Sequence, residues 1–342
     1  MYNRFFGLSS APFTLTADPN FLLLTGQHRE VLAGLTYAIL ARKGIVLLTG
    51  DAGTGKTTVL SKVLRHLTMQ GPGSGGVQSS LILNPTLTPD EFLEMVLADF
   101  GFSDIPASKS QRILKLQQFL LDGQAAGKVS VLVVDEAHKL SAEVLEEIRL
   151  LSNFEQTNQK LLQIVLAGQN ELSQLLERPD LRQFKQRIAV RLELKPLSSE
   201  VEQYIQYRWN KAGGQQTAPF EPEAIRGIAQ WSHGIPRLIN VICDNALLLA
   251  FGEEVSRVTF NHVHEICTDF KLADSNGKPA SATPIAPAHR SVLAANPLPP
   301  PMPTAPMTGL LLTLERYNGV KSRPSLWARW AGRLGWVHLG AD

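Results

Sequence analysis

The 342-residue sequence predicts a parallel α/β sheet covered by helices on both faces, followed by a small all-helical unit. Short apolar runs rich in β-branched residues recur at 44–49, 77–83, 129–134, 161–167 and 190–194, with helical patterns between most of them. A glycine-rich loop joins the first run to the first of those helices, and the strand pattern stops at Ser198. Strands that are apolar along their whole length and alternate with helices belong in a sheet buried on both sides.

The first helical pattern places Val59, Leu60, Val63, Leu64 and Leu67 on one face, and the second does the same with Phe92, Leu93, Val96 and Leu97. Beyond Ser198 only helical segments are read, near 198–211, 222–231, 235–251 and 259–270. At ~150 residues per domain the length fits about two domains. The expected divisions are an α/β core with an N-terminal extension over 1–197, a helical lid over 198–270, a proline-rich linker over 271–308 and a short basic tail over 309–342. Nine of the 21 prolines fall between Pro279 and Pro306, and proline lacks the donor that a helix or central strand requires, so the linker reads as extended and solvated.

Composition narrows the function classes. With 44% hydrophobic and 19% charged residues, wholesale disorder is excluded. The net charge of +2 excludes a polycation that coats nucleic acid. Residues 271–342 hold eight Lys/Arg against three Asp/Glu, which leaves 25 against 28, a net of −3, for residues 1–270. Two cysteines, Cys243 and Cys267, make neither a disulfide framework nor a four-ligand zinc site; both fall on apolar helical faces as core thiols, and a cytoplasmic location is expected. No apolar run approaches the ~18 residues of a spanning helix.

The chemistry sits in the glycine-rich loop. Gly50, Asp51, Ala52, Gly53, Thr54, Gly55, Lys56 and Thr57 match G-x-x-x-x-G-K-[ST], with a strand before and an amphipathic helix after, and Thr58 continues into that helix. Glycines let successive backbone N–H groups turn inward around phosphate oxygens, and the helix adds its positive dipole end. In this pattern Lys56 reaches the β- and γ-phosphates of ATP and the Thr57 hydroxyl ligates Mg²⁺. The third apolar run ends in Asp135-Glu136, at the sheet edge where open α/β sheets bind ligands. Asp135 is expected to hold Mg²⁺ from its second coordination sphere, and Glu136 to orient and deprotonate an attacking water. His138 reads as a packed or capping residue. His262 and His264, two apart on one helix, point to different faces and make a poor metal pair.

A P-loop, an Asp-Glu on the third strand and a helical lid together resemble an AAA+ ATPase. The resemblance implies roles for further residues. Asn84, closing the second strand, either holds Glu136 away from water or opens the Asn84-Pro85 turn. Gln169, after the fourth strand, is similar to a sensor 1 residue that helps hold the attacking water. Arg182 and Arg187, before the fifth strand, sit where the family carries arginine fingers, which complete a neighbouring subunit's site in a ring or filament. Arg237, in Gly234-Ile-Pro-Arg237, resembles sensor 2 and contacts the γ-phosphate within its own subunit.

The ends of the core narrow the resemblance. Met1 to Leu8 (Met-Tyr-Asn-Arg-Phe-Phe-Gly-Leu), Pro12-Phe13, Asp18-Pro19, His28-Arg29-Glu30, the run from Leu162 to Leu172 and Ile235 to Asn240 are similar to the ExeA/GspA type of general secretion ATPases. That group is in turn similar to ATPases of exosortase and exopolysaccharide loci and to TniB/TnsC-type transposition ATPases. The likeness covers roughly 1–270; the transmembrane helix and peptidoglycan-binding domain that follow the ATPase in the secretion proteins are not read in 271–342. It implies an ATPase acting on a protein client in secretion or envelope biogenesis; the alternative is a DNA-dependent ATPase that loads a transposase or replication factor, which the net −3 of the core does not favour. No Asn-Lys-x-Asp motif for guanine is present, which favours ATP. The tail segment Leu326 to Trp336 carries Trp327, Trp330, Arg329 and Arg333, a pattern that touches an anionic membrane surface, docks into a partner groove or serves no role.

Overall fold

A computed structural model describes residues 2–68, 76–83 and 85–272. Its centre is a five-stranded parallel sheet of β1 (Ile45–Thr49), β2 (Val77–Ile82), β3 (Val129–Val134), β4 (Leu162–Gly168) and β5 (Ile188–Glu193), in the spatial order β2-β3-β4-β1-β5. The three central strands are buried at every residue, as full apolar runs require. The edge strands differ. β5 alternates half-buried and exposed residues, because only one of its faces and one of its edges is covered.

Alternate residues of one strand feed two separate cores. Ile45 and Leu47 of β1 join Phe92, Leu145 and Phe184 on one face, whereas Val46 and Leu48 join Leu35, Val59 and Val63 on the other. The first face is covered by α3 (Pro89–Asp99), α4 (Lys109–Ala125) and α5 (Ala142–Leu151), the second by α1 (Gly26–Leu40) and α2 (Lys56–Thr68). Helix starts follow local chemistry: Thr88 and Glu91 form a reciprocal capping box on α3, and Ser141 caps α5. Between α5 and β4 a two-residue antiparallel pair, Glu155–Gln156 with Gln159–Lys160, turns at Thr157 and Asn158, both with positive φ. Two short helices, α6 (Asn170–Leu175) and α7 (Arg182–Lys185), lead from β4 to β5.

Four helices form the lid: α8 (Val201–Lys211), α9 (Pro222–Ser232), α10 (Pro236–Gly252) and α11 (Phe260–Asp269). Their core gathers Trp209, Trp231, Cys243, Leu247 and Cys267, and it also takes in Tyr2, Leu8 and Phe13. The N-terminal segment thus packs its side chains into the lid, although the sequence reading attaches it to the sheet unit. Polar ties hold it there: Ser9 N–H donates to the Ala212 carbonyl at 2.8 Å, Arg208 Nε to that of Pro12 at 2.6 Å, and Asn240 Nδ2 to that of Thr14 at 3.3 Å. The Tyr2 hydroxyl donates to Asp244.

The connection from sheet to lid is tight. Leu194 N–H donates to the Thr49 carbonyl at 2.8 Å, and three residues on Leu197 N–H donates to Gly234 at 2.8 Å. Gly234 has φ +72°, and a Cβ there would lie 1.7 Å from the Leu197 carbonyl oxygen, so only glycine fits. Among the described residues no helix is long and apolar enough to cross a membrane.

Candidate functional site

In a parallel sheet every strand ends at the same edge, so the register brings Thr49 of β1 beside Gly168 of β4, and Val134 of β3 beside Leu166. The loops after these strands carry the glycine-rich segment, Asp135-Glu136 and Gln169, and they converge without long-range contrivance. A cleft of about 350 Å³ opens there, between the glycine-rich loop, residues 14–18 of the N-terminal segment and the start of α10.

Glycine is required at particular points of the loop. Gly53 and Gly55 have φ of +81° and +101°. A Cβ on Gly50 would lie 2.3 Å from the Leu194 carbonyl oxygen, and one on Gly53 would lie 2.8 Å from Cβ of Arg237. The lid also touches the loop through its backbone, where Arg237 N–H donates to the Gly53 carbonyl at 3.3 Å. Arg237, at the first turn of α10, is thereby held over the loop and lines the cleft.

Lys56 is buried, and its Nζ donates to the carbonyls of Gly50 and Asp51 at 2.8 and 3.0 Å. Burial lowers its pKa from the usual lysine range, and Asp135, Glu136 and Asp51 partly restore it. Thr57 Oγ1 donates to Asp135 Oδ2 at 2.5 Å, and Asp135 is only 2% exposed. A buried carboxylate and a hydroxyl side by side, both oxygen donors, suit a small hard cation that takes its remaining ligands from water and phosphate. Asp135 is fixed from behind: its N–H donates to the Ile82 carbonyl at 2.8 Å, and its Oδ1 receives the Glu136 N–H at 2.9 Å.

Glu136 lines the cleft and adopts a left-handed backbone, φ 53° and ψ 32°. Its carboxylate Oε2 lies 3.5 Å from His138 Nε2 and 3.8 Å from Lys139 Nζ. Gln169 lines the same cleft, and Asn170 beside it donates from Nδ2 to Asp51 Oδ1 at 2.7 Å, which ties the loop after β4 to the glycine-rich loop. Ala52, Thr54 and Thr58 complete this wall.

The structure therefore brings Lys56, Thr57, Asp135, Glu136, Gln169 and Arg237 to one cleft. It does not bring Arg182 or Arg187 there: both are exposed, at the start of α7 and just before β5. Asn84 lies outside the described residues. No local sequence pattern announces the Asp51–Asn170 tie or the contribution of Arg208 and residues 14–18 to the cleft wall.

A family model, that of the AAA domain, matches residues 40–176. This stretch runs from the end of α1 through the glycine-rich loop, Asp135-Glu136 and Gln169 to the helix beyond. Residues 40–176 thus carry the sequence signature of an AAA domain. The chain is 42% identical over 268 residues to general secretion pathway protein A of Aeromonas hydrophila, an alignment covering 77% of this chain. It spans about half of that relative, 47% of its length. Among solved structures, Aeropyrum pernix ORC2 in its ADPNP-ADP complexes superposes with a TM-score of 0.58 at 16% identity, covering 76% of this chain and 72% of that one. Drosophila ORC bound to DNA gives 0.56 at 21% identity, with 78% and 68% covered. The Thermotoga maritima RuvB branch migration motor gives 0.50 at 20% identity, with 75% and 72% covered. Identities this low establish the shared AAA+ P-loop fold alone.

Proposed function

We propose that the AAA domain binds and hydrolyses ATP and uses the cycle to drive assembly or conformational change of a protein client in secretion or envelope biogenesis. The observation that carries this reading is the convergence of Lys56, the Thr57–Asp135 pair, Glu136 and Gln169 on one cleft, with Arg237 of the lid on the phosphate-binding loop. The pathway rests on the 42% identity over 268 residues to general secretion pathway protein A.

In this reading the inward-facing N–H groups of residues 52–57 and the Lys56 ammonium hold the β- and γ-phosphates. Lys56 exchanges its present carbonyl partners for phosphate oxygens. Thr57 and Asp135 would hold Mg²⁺, which when bound neutralises charge on the phosphates. Glu136 orients a water and accepts its proton, while Gln169 holds that water from the other side. Arg237 senses the γ-phosphate and keeps the lid closed. The exposed Arg182 and Arg187 point to self-association, in which one of them completes the site of the next subunit in a ring or filament; such arginines are worth ~10³–10⁵ in rate in related phosphoryl transfer.

Steady-state ATPase assays over a range of protein concentrations, with nucleotide binding read in parallel, test the reading. Lys56→Ala is expected to lose nucleotide binding. Glu136→Gln is expected to keep binding and lose about 10²-fold or more in turnover, the contribution of a general base. Turnover per subunit should rise with protein concentration and ignore duplex DNA. Normal turnover by Glu136→Gln removes the assignment, and strong stimulation by DNA moves the client from the envelope to nucleic acid.

A further inference from the structure

We propose that His138 is the positioning residue of this cleft: it couples the Glu136 carboxylate to Gln169, so that the base and the water-holding residue move as one unit. The inference rests on the ATPase reading above.

Three contacts meet on one imidazole. Its Nδ1 accepts the backbone N–H of Gln169 at 3.4 Å, its Nε2 lies 3.5 Å from Glu136 Oε2, and the same Nε2 lies 3.4 Å from the side-chain amide of Gln169. The ring is largely enclosed, 14% exposed, whereas Glu136 is 35% exposed. Because Nδ1 accepts a backbone donor, the neutral ring carries its proton on Nε2. That N–H suits a carboxylate oxygen, and it suits Gln169 once the amide turns its oxygen to the ring. Lys139 also approaches Glu136, at 3.8 Å, but it is half-exposed and screened by water, so it orients the carboxylate weakly.

The backbone is arranged to place this ring. Glu136 sits in the left-handed region, uncommon for a residue with a side chain, and the short turn Ala137–Lys139 follows at once. That turn presses against the end of β4, where a Cβ on Gly168 would lie 3.1 Å from His138 N and 2.9 Å from Leu172 Cδ2. The end of the strand that carries Gln169 and the turn that carries His138 are thus in direct contact, with glycine leaving the space. The polar approaches of the His138 ring run to Glu136 and Gln169, so its influence runs through them.

The test uses the full chain and compares wild type, Glu136→Gln, His138→Phe, His138→Gln, Gln169→Ala and the double variant His138→Phe/Gln169→Ala. The readouts are kcat, KM for ATP, affinity for a fluorescent ATP analogue and melting temperature. His138→Phe keeps a planar ring and removes the hydrogen bonds. Its kcat should fall about 10- to 100-fold, the scale of a ~1 Å misplacement of a reacting group, while analogue affinity stays within about threefold. His138→Gln, which retains one donor and one acceptor, should recover most of the loss. The double variant should turn over no more slowly than the worse single one, because both break the same unit. Turnover by His138→Phe within twofold of wild type overturns the proposal, as does a loss of kcat matched by loss of analogue affinity or by unfolding. Glu136→Gln separates the two levels: active wild type with inactive Glu136→Gln upholds the ATPase reading whatever His138 does. Inactive wild type overturns that reading and the His138 assignment together.

Discussion

The sheet unit and the lid are built on opposite principles. In the sheet unit, β1, β3 and β4 are buried at every residue and the helices beside them in sequence cover them. The lid is completed by the far end of the chain: Tyr2, Leu8 and Phe13 fill its core, and a buried network of Arg208, Tyr204 and Asn240 fastens Pro12 and Thr14. The cleft lies between the two. One wall comes from the strand ends, which the sheet fixes; the other comes from residues 14–18, which the lid's borrowed segment fixes. Lid stability and the shape of the cleft are therefore one problem.

Truncating that segment should have the largest effect. Phe13 is 1% exposed and lies edge-on to Phe220 with ring centroids 6.0 Å apart. Phe13→Ala should destabilise by about 3–5 kcal/mol, the range for emptying a buried aromatic site. Urea unfolding followed by tryptophan fluorescence, in a background with Trp327, Trp330 and Trp336 replaced by phenylalanine, reads the lid, since Trp209 and Trp231 both lie in its core. Phe92→Ala, fully buried on the sheet, is the control. If Phe13→Ala leaves the fluorescence transition in place while Phe92→Ala shifts it, the N-terminal segment is an ornament and the comparison breaks.

A smaller loss is expected from Arg208→Leu. The guanidinium donates to the Pro12 carbonyl at 2.6 Å and to the Tyr204 hydroxyl at 3.0 Å, and it packs over the Phe21 ring at 5.0 Å. Leucine fills part of the volume but leaves those acceptors buried, which costs about 1–3 kcal/mol in total. Since Arg208 also lines the cleft, analogue affinity should fall with stability. A variant that binds nucleotide normally at full stability would show that the segment is held by its apolar contacts alone.

What the sequence reveals follows the same division. The phosphate loop, Asp135-Glu136 and the central strands are legible because each is a local pattern: glycines at fixed offsets, or an apolar run ending in a carboxylate. The paired registers of β1, β3 and β4 then deliver them to one edge without further information. The docking of the N-terminal segment is not legible, since Tyr2 meets Asp244 across 242 residues and Pro12 meets Arg208 across 196. His138 is a middle case. Its neighbour Glu136 is adjacent in sequence, but its second partner, Gln169, is 31 residues on, and the left-handed turn that aims the ring leaves no mark in residue type. Arg182 and Arg187 illustrate the converse. Their place in the sequence pattern is clear, yet both side chains are exposed and neither lines the cleft.

The finest separation of the two units is by pH, and it is the smallest effect. His28, at the start of α1 with its Nδ1 2.7 Å from Thr25 Oγ1, has its pKa lowered by burial, which outweighs the attraction of Glu200. Below the ordinary imidazole range the unfolded chain takes up a proton that the folded one resists, so this contribution to stability is present at neutral pH and is lost on acidification. The lid titrates at the other end. Burial raises Cys243 well above the thiol range and Cys267 to about 12, and it raises the Tyr2 and Tyr204 phenols. As pH climbs past the ordinary thiol range, the unfolded chain releases protons that the folded lid retains, and stability falls. Urea midpoints measured from pH 5 to pH 10 should decline on both sides. His28→Gln should flatten the acid side alone, and Cys267→Ala the alkaline side alone. The lid's tryptophan signal should follow the second substitution more closely than the first. If instead the lid's tryptophan signal and the far-UV circular dichroism of the whole chain shift together for both variants, the sheet unit and the lid unfold as one body.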